Sequence, residues 1–386
     1  MNYVDSINKY RIESVYSLSR YWNKKIHKNI SCWAPFQAMH INKKGRIKPC
    51  PFSMQSNYVK KQIQWSPEKS LKECWNDMIY EEMRNESISG SLHNALCEYC
   101  IKQCMQNKPP SSLDYDFVGG KKKLDHQYPK EIELELSNTC NYMCDACSPW
   151  CSSQWAEKLG LSEDPRFKSS FDDPLFKEAF IEDLRSIIHH VHRINFTGGE
   201  PFAQRIVYDI LKMIEDEDPK NLNIHFTTNG SVMNGAVKRV IKRKNTRFTV
   251  SLDSINPKTY PTIRVNGKLE NVMNNIQYML NNCNQRIVAS FVLSKKNIKE
   301  LPEILSWCNE KGIIFSYHIL ENMGYRDWEK EIKPICIEAE EKEYLTSLKN
   351  WLLENRSSIR SPRLLSEYWL YKTNMKMYDQ YIERLK

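Results

Sequence analysis

Three closely spaced cysteines are the residues of this chain best suited to chemistry. Cys140, Cys144 and Cys147 lie together in the segment SNTCNYMCDACSPW. In a reducing compartment, closely spaced cysteines bind metal more often than they form disulfides. A four-iron cluster held by three cysteines keeps one iron open to a further ligand, whereas a structural zinc site normally uses four protein ligands. The spacing therefore favours an iron–sulfur cluster with an open iron, and structural zinc is the alternative.

A second group of cysteines precedes the first. Cys32 precedes the segment MHINKKGRIKPC, which ends in Cys50, and the motif LCEYC follows with Cys97 and Cys100. Polar and apolar residues alternate on both sides of a Lys-Lys-Gly sequence, which predicts a β-hairpin with Gly45 in its turn. Four cysteines in such a setting can hold a zinc ribbon or a second iron–sulfur cluster.

From about residue 130 the sequence becomes periodic, and this region must supply the strands and helices that position the cysteines. Short β-rich runs alternate with amphipathic segments of helical length, which is typical of βα units around a parallel sheet. Six units are too few for a closed eight-stranded barrel, so we expect an α/β fold with a partial, TIM-like (β/α)6 barrel. The predicted strands are EIELEL (131–136), RINFTG (193–198), NIHFTT (223–228), FTVSLD (248–253), RIVASFVL (286–293) and IIFSYHIL (313–320).

The carboxyl ends of the first two strands carry the candidate chemistry. The cysteine loop follows the first strand, and the segment Gly198-Gly199-Glu200-Pro201 follows the second. Parallel strands place both segments at the same edge of the sheet, which is where ligands bind in such folds. A glycine pair there permits close approach of the backbone to a ligand.

These motifs resemble the radical S-adenosylmethionine (SAM) superfamily over about residues 130–320. The resemblance implies that the three cysteines of the first group bind a [4Fe-4S] cluster, and that Gly198, Gly199 and Glu200 position the amino group of SAM. It also implies that a later set of residues meets the ribose and carboxylate of SAM. That set is Asn229 of a Thr-Asn-Gly segment, Ser251, Asp253 and Arg264. Capping of the following helix is the alternative role for a Ser or Asp at a strand end.

The second cysteine group resembles the twitch or SPASM-type module of radical SAM enzymes. The resemblance implies one auxiliary [4Fe-4S] cluster on Cys32, Cys50, Cys97 and Cys100, with Cys104 as a competing ligand. The module usually follows the barrel, whereas here it precedes it. Another departure is Ala146, because the residue before the third cysteine is commonly aromatic in the superfamily and packs near adenine. Another wall for adenine is then needed, from Tyr142, Met143, Trp150, Val292 or Leu293.

The remaining sequence suggests four segments. Residues 1–108 form the twitch/SPASM-like domain, 109–129 a linker rich in Pro, Ser and Gly, 130–320 the partial barrel, and 321–386 a helical carboxyl-terminal extension. Residues 161–180 interrupt the alternation after the first strand and are interpreted as an inserted loop or lid.

Charge and hydropathy bear on partners and location. The formal charge of +9 comes from short basic clusters separated by neutral stretches, so nucleic acid is not the expected partner. No stretch approaches the roughly 20 apolar residues that span a bilayer, and no apolar run follows a basic amino terminus. We therefore expect a cytoplasmic protein without a membrane partner.

These observations predict an enzyme that reductively cleaves SAM to a 5′-deoxyadenosyl radical, which then abstracts a substrate hydrogen. We expect oxidation of a small polar metabolite or sugar derivative, with the auxiliary cluster as electron acceptor and a flavodoxin- or ferredoxin-type protein as electron donor. The first alternative is a maturase that crosslinks or epimerises a ribosomally made peptide or installs a thioether in it. The second is a zinc-stabilised, non-enzymatic binding module, which would show no SAM cleavage.

Overall fold

The computed structural model describes residues 32–51, 53, 62–89, 97, 126–320, 335 and 338–354. Within these ranges the β-strands, in chain order, are β1 Ala38–Asn42, β2 Arg46–Lys48, β3 Ile63–Gln64, β4 Glu131–Glu135, β5 Met143–Cys144, β6 Arg193–Phe196, β7 Asn223–Thr228, β8 Thr246–Ser251, β9 Arg264–Val265, β10 Val288–Leu293 and β11 Ile314–Ile319.

The helices of the described ranges alternate with the later strands, as βα units require. They are α1 Ala34–Gln37, α2 Leu71–Trp75, α3 Met78–Ser89, α4 Ser153–Lys158, α5 Pro174–Ile187, α6 Arg205–Glu217, α7 Gly235–Lys242, α8 Tyr260–Ile263, α9 Leu269–Asn282, α10 Leu301–Lys311 and α11 Ala339–Glu354. None of them is long and apolar enough to cross a bilayer.

One nine-stranded sheet organises the described residues, in the order β11-β10-β8-β7-β6-β4-β1-β2-β3. The six strands from β4 to β11 in this sheet are mutually parallel neighbours. They coincide with the six predicted strands, and the predicted α/β class with a parallel sheet is confirmed. Strands β5 and β9 form a separate two-stranded sheet.

The amino-terminal hairpin continues this sheet. Strand β1 pairs parallel with β4 over five residue pairs, from Ala38 opposite Glu131 to Asn42 opposite Glu135. Strands β2 and β3 then add antiparallel neighbours at the edge. The hairpin was expected in a separate amino-terminal domain, 1–108, but its strands share the sheet of the barrel. The domain limits stay a prediction, because residues 98–125 lie outside the described ranges.

The hairpin turn has the predicted glycine at its tip. Gly45 has a φ of +73°, a conformation that disfavours side chains, and its N–H donates to the Asn42 carbonyl over 2.8 Å. The Asn42 side chain also accepts hydrogen bonds from the backbone N–H groups of Lys44 and Arg46, at 2.9 and 3.1 Å. The turn is therefore fixed by local hydrogen bonds.

The two faces of the sheet differ in polarity. On the face toward the helices, Phe196, Phe226 and Phe248 stack across β6, β7 and β8, with centroids 4.9 and 5.6 Å apart. Burial of such rings supplies much of the hydrophobic stabilisation of a core. On the other face β4 presents Glu131, Glu133 and Glu135, because side chains alternate along a strand.

The predicted insertion packs against both the hairpin and the first barrel strand. The Ser169 hydroxyl donates to the Leu136 carbonyl over 2.6 Å, and the Ser170 N–H donates to the Lys43 carbonyl over 2.8 Å. Its last residues belong to helix α5, which begins at Pro174 after the N-cap Asp173. Its role as a lid stays a prediction.

Candidate active site

The loop with the first cysteine group leaves the carboxyl end of β4 and is fastened at several points. Strand β5, which contains Cys144, pairs antiparallel with β9, which contains Arg264. The indole Nε1 of Trp155 donates to the Cys144 carbonyl over 2.8 Å. The Ser152 hydroxyl donates to the Tyr142 carbonyl over the same distance. The loop is therefore held at the edge where parallel sheets bind their ligands.

The glycine pair lies directly against the residues that precede Cys140. The Gly199 N–H donates to the Ser137 carbonyl over 3.0 Å, and the Glu200 N–H donates to the Thr139 carbonyl over 2.9 Å. A Cβ at Gly199 would stand only 2.2 Å from the Thr139 oxygen. Glycine is thus required here for contact between two backbone segments.

The Glu200 carboxylate is buried and accepts three hydrogen bonds from its own chain. The donors are the Thr228 hydroxyl and the Asn229 N–H, both at 2.7 Å, and the Phe202 N–H at 3.2 Å. Burial raises the pKa of Glu200, although these bonds oppose the shift. Glu200 thereby ties the end of β6 to the end of β7. Contact with the SAM amino group stays a prediction.

The Thr-Asn-Gly segment after β7 reaches the cysteine loop through one side-chain pair. The Asn229 amide donates to the Asn141 oxygen over 2.9 Å, and Asn141 donates in turn to the Ser231 hydroxyl over 2.9 Å. The structure therefore places Asn229 beside Cys140.

Asp253 and Arg264 form a buried ion pair next to Cys144. Arg264 Nε lies 2.6 Å from Asp253 Oδ2, and Arg264 Nη1 donates to Cys144 Sγ over 3.4 Å. Burial lowers the pKa of Arg264, but the charges of Asp253 and Cys144 more than offset it, so the pKa is raised overall. Asp253 also accepts a 2.7 Å hydrogen bond from the Val292 N–H. These two predicted residues are brought together, in agreement with a shared role.

Ser251 lies at the end of β8 and is only partly buried. Of the candidate walls for adenine, Tyr142 is buried and Trp150 lies under the Lys43 ammonium, 4.1 Å from the ring centroid. Val292 is partly exposed beside Asp253. Contact of any of these residues with SAM stays a prediction.

The three thiols share one poorly hydrated environment. Burial raises the pKa of Cys140 and of Cys147 to about 12, and it also raises the pKa of Cys144. The charge of Cys144 acts on both of the other thiols in the same direction. A metal ligand must lose its proton, so positive charge near the sulfurs favours binding. Arg264 supplies that charge at Cys144.

The residues present fit a three-cysteine cluster. Cys140, Cys144 and Cys147 form no disulfide, are partly exposed, and lie on one loop. Thiolates are the ligands of iron–sulfur clusters. No group of three or more His, Cys, Asp or Glu side chains in the described ranges could hold a single metal ion. Three cysteines without a disulfide on one loop are the donor set that a four-iron cluster with one open iron requires.

The cysteines of the second group that the structure describes also lie close together. Cys32 is buried with Ala34, and Cys50 and Cys97 pack against the same small cluster. Cys50 follows β2 of the hairpin, as the sequence predicted. Cys100 and its competitor Cys104 lie outside the described residues. Three of the four proposed ligands therefore lie together.

Several polar residues near this site were not predicted from the sequence. Lys43 at the hairpin tip donates to the Trp150 carbonyl over 2.7 Å. His40 of β1 lies between two glutamates of β4. The available signal was the alternation of glutamate in EIELEL, because strands covered on both faces are normally apolar throughout.

Several curated proteins are similar to this chain. A probable GTP 3′,8-cyclase of Methanocaldococcus jannaschii is 26% identical over 267 residues, covering 66% of this chain and 84% of that protein. The GTP 3′,8-cyclase of Aliarcobacter butzleri is 25% identical over 209 residues, covering 54% of this chain and 61% of that protein. The chain thus spans about three fifths of the length of the bacterial relative.

Solved structures with a likeness to this chain include Streptococcus suis SuiB bound to S-adenosylmethionine. It has a TM-score of 0.42 at 16% identity, covering 82% of this chain and 69% of that chain. Native anSMEcpe with bound AdoMet has a TM-score of 0.42 at 15% identity, covering 59% of this chain and 62% of that chain. These TM-scores are too low to support an inference about function.

Two family profiles match the two cysteine-bearing segments. The Radical SAM superfamily matches residues 134–308, and an iron–sulfur cluster-binding domain, SPASM, matches residues 32–105. These matches agree with the predicted cofactors, which are SAM, a [4Fe-4S] cluster and an auxiliary cluster. The chain therefore carries a radical SAM domain over residues 134–308, preceded by a SPASM-type iron–sulfur cluster-binding domain over residues 32–105, and it is an enzyme.

Proposed function

We propose that this enzyme abstracts a hydrogen atom from a small polar metabolite or sugar derivative, and that Cys140, Cys144 and Cys147 hold the catalytic cluster. One observation carries the proposal. The cysteine loop, the Gly198-Gly199-Glu200 segment and the Arg264–Asp253 pair meet at one edge of the parallel sheet, with Arg264 Nη1 3.4 Å from Cys144 Sγ.

Each part of this edge has a role in binding or orientation. When bound together, the cluster and SAM supply a 5′-deoxyadenosyl radical. Asp253 fixes the guanidinium of Arg264, which leaves Arg264 aimed at the cysteine loop. The absence of side chains at Gly198 and Gly199 lets the backbone approach a ligand, while Glu200 holds that segment against β7.

We propose that Cys32, Cys50, Cys97 and Cys100 hold the auxiliary cluster and that it accepts an electron from the substrate radical. The packing of Cys32, Cys50 and Cys97 around one point supports this assignment. The hairpin that precedes Cys50 belongs to the same sheet as β4, the strand that leads into the catalytic loop, which fixes the two cysteine groups relative to each other. A flavodoxin- or ferredoxin-type protein is the proposed electron donor.

A small-molecule substrate is favoured over a peptide by two observations. The curated relatives are named for a reaction of GTP, a small polar molecule. The inner face of β4 carries three glutamates, which suit a hydrogen-bonding substrate. GTP itself is a second candidate substrate, on the strength of the same relatives.

The test is an anaerobic assay of the reduced holoenzyme with three sets of compounds: deuterated sugar derivatives, GTP, and peptides encoded beside the gene. The proposal predicts that a sugar derivative accelerates SAM cleavage and transfers deuterium to 5′-deoxyadenosine. Transfer from GTP would select the second candidate. Modification confined to the peptides would contradict both.

A further inference from the structure

A row of polar side chains crosses the inner face of the sheet below the cysteine loop. The strand register aligns His40 of β1 with Glu133 of β4, Glu133 with Asn195 of β6, and Asn195 with His225 of β7. Residues aligned in neighbouring parallel strands project to the same face. These four residues therefore form a continuous polar row across four strands.

The row is connected to the acidic side chains above and below it. His40 Nε2 lies 3.7 Å from Glu133 Oε1 and 3.4 Å from Glu135 Oε2. The Asn195 amide donates to Glu131 Oε1 over 2.6 Å. In the described part of the chain, Glu133 contacts His40 and Thr197 through Oε1, which leaves Oε2 for another donor.

Glu133 and Glu135 are only partly enclosed by protein. The side chains of Glu133 and Glu135 remain 21% and 16% exposed. Burial nevertheless raises the pKa of Glu133, so protein surrounds it on most sides. Glu133 is therefore largely enclosed, but a ligand can still reach it. The Cys151 thiol donates to Glu135 Oε1 over 3.6 Å, which connects this wall to the loop of Cys147.

Two buried atoms in the row have no hydrogen-bond partner among the residues that the structure describes. They are Nδ1 of His40 and Oδ1 of Asn195, in residues that are only 3% and 8% exposed. Buried polar groups are almost always paired, because leaving one unpaired costs roughly 1–3 kcal/mol. Two such atoms in one row indicate that a ligand supplies the missing partners.

The charges around the row favour a ligand with neutral hydroxyl groups over a ligand with an ammonium group. Burial opposes ionisation of Glu135, yet His40, Lys48 and Lys43 hold its pKa below the usual value. Its negative charge is thus already compensated by the protein. Acceptors without donors remain at Glu133 and Asn195, and hydroxyl groups are neutral donors that can satisfy them.

We propose that the row of His40, Glu133, Asn195 and His225 is the substrate-recognition wall, and that it binds the hydroxyl groups of a neutral, polyhydroxylated molecule such as a sugar ring. This inference rests on the proposed function and specifies its substrate. Glu133 and Asn195 accept hydrogen bonds from the hydroxyls, and His40 orients Glu133 toward them.

The test measures ligand binding to the oxidised, SAM-loaded holoenzyme by saturation-transfer NMR. The hydroxyl-rich probes are galactose, N-acetylglucosamine and myo-inositol, and 1,6-diaminohexane is the cationic probe. Binding of at least one hydroxyl-rich probe is expected, weakened at least tenfold in Asn195→Leu and in Glu133→Leu. Asn195→Gln keeps the amide oxygen as an acceptor and an amide donor for Glu131, so it should retain binding. Glu182→Gln, on the exposed surface of α5, is the matched control.

The outcomes are decisive in either direction. The proposal is overturned if no hydroxyl-rich probe binds, if only the diamine binds, or if Asn195→Leu and Glu133→Leu both bind the probes as the unsubstituted enzyme does. Binding to the oxidised enzyme requires no turnover, so it can succeed or fail independently of hydrogen abstraction. A failure of the proposed function would instead appear as intact SAM under reducing conditions.

Discussion

Arg264 bridges Asp253 and the catalytic cysteine loop, because its Nη1 donates to Cys144 Sγ over 3.4 Å while its Nε lies 2.6 Å from Asp253 Oδ2. Asp253 and Arg264 are buried, and Cys144 is only partly exposed. The pair therefore links the end of β8 to strand β5 at the point where we propose that the cluster binds. Such a pair costs desolvation energy, so its presence indicates a positional role.

Substitution of Arg264 by Ala should leave Asp253 as an uncompensated buried charge. We expect the free energy of unfolding to fall by about 3–5 kcal/mol at pH 7, as is typical when one partner of a buried pair is removed. The double variant Arg264→Ala/Asp253→Asn should lose less than Arg264→Ala alone. Urea denaturation of the three proteins measures this, and equal losses in the single and double variants would show that the pair is not coupled.

Two glycines offer a matched test of the backbone contact beside Cys140. A Cβ at Gly199 would stand 2.2 Å from the Thr139 carbonyl oxygen, whereas a Cβ at Gly235 has nothing within 4 Å. Gly199→Ala should lower the free energy of unfolding by about 1–3 kcal/mol through overpacking. Gly235→Ala, at the start of α7, should be neutral or stabilising by up to about 1 kcal/mol. Equal melting temperatures for the two variants would contradict the contact.

The partly buried His225 should make the protein sensitive to acid. Burial, with the charges of Arg193 and Arg247, lowers the pKa of His225 from 6.5 to about 4. Between these values the unfolded chain binds a proton that the folded protein does not, so stability is lost as pH falls from 6.5 toward 4. From pH 7 to pH 5, His225 should account for about 2 kcal/mol of lost stability.

The comparison that isolates this effect uses His225→Gln and the exposed-site control His192→Gln. His225→Gln should lose about 2 kcal/mol less than the unsubstituted protein between pH 7 and pH 5 in urea denaturation. His192→Gln should follow the unsubstituted protein. Parallel pH profiles for all three proteins would show that His225 is protonated normally in the fold.

The auxiliary site can be separated from the catalytic one by iron content. Cys50→Ala/Cys97→Ala removes two of the three cysteines that pack together near the hairpin. Anaerobically reconstituted protein should then hold about four irons per chain instead of about eight. Cys283→Ala, a partly buried cysteine outside both groups, should keep about eight. Unchanged iron in the double variant would rule out a cluster at this site.

The sequence predicted the six barrel strands and the hairpin because their patterns are local. Alternation within EIELEL sets the faces of β4, and Lys-Lys-Gly before Arg46 sets the turn. The parallel pairing of β1 with β4 joins segments about 90 residues apart in sequence, and no local pattern encodes such a partner.

The candidate site was predictable to a similar degree. Asp253 and Arg264 were chosen from a resemblance, and the structure places them in one ion pair. The polar row was not predicted, because His40 and Asn195 become neighbours of Glu133 only through strand order and register. Isolated His and Asn residues carry no sequence signal of that kind.

The most direct test of the account is to purify the enzyme without oxygen, determine its metal, reduce it with dithionite and measure 5′-deoxyadenosine formed from SAM. We predict about eight irons per chain and 5′-deoxyadenosine from the unsubstituted enzyme. We predict about four irons and no 5′-deoxyadenosine from the variant in which Cys140, Cys144 and Cys147 are all Ala. Bound zinc with intact SAM, or unchanged SAM cleavage in the triple variant, would contradict the assignment of the catalytic cluster to these cysteines.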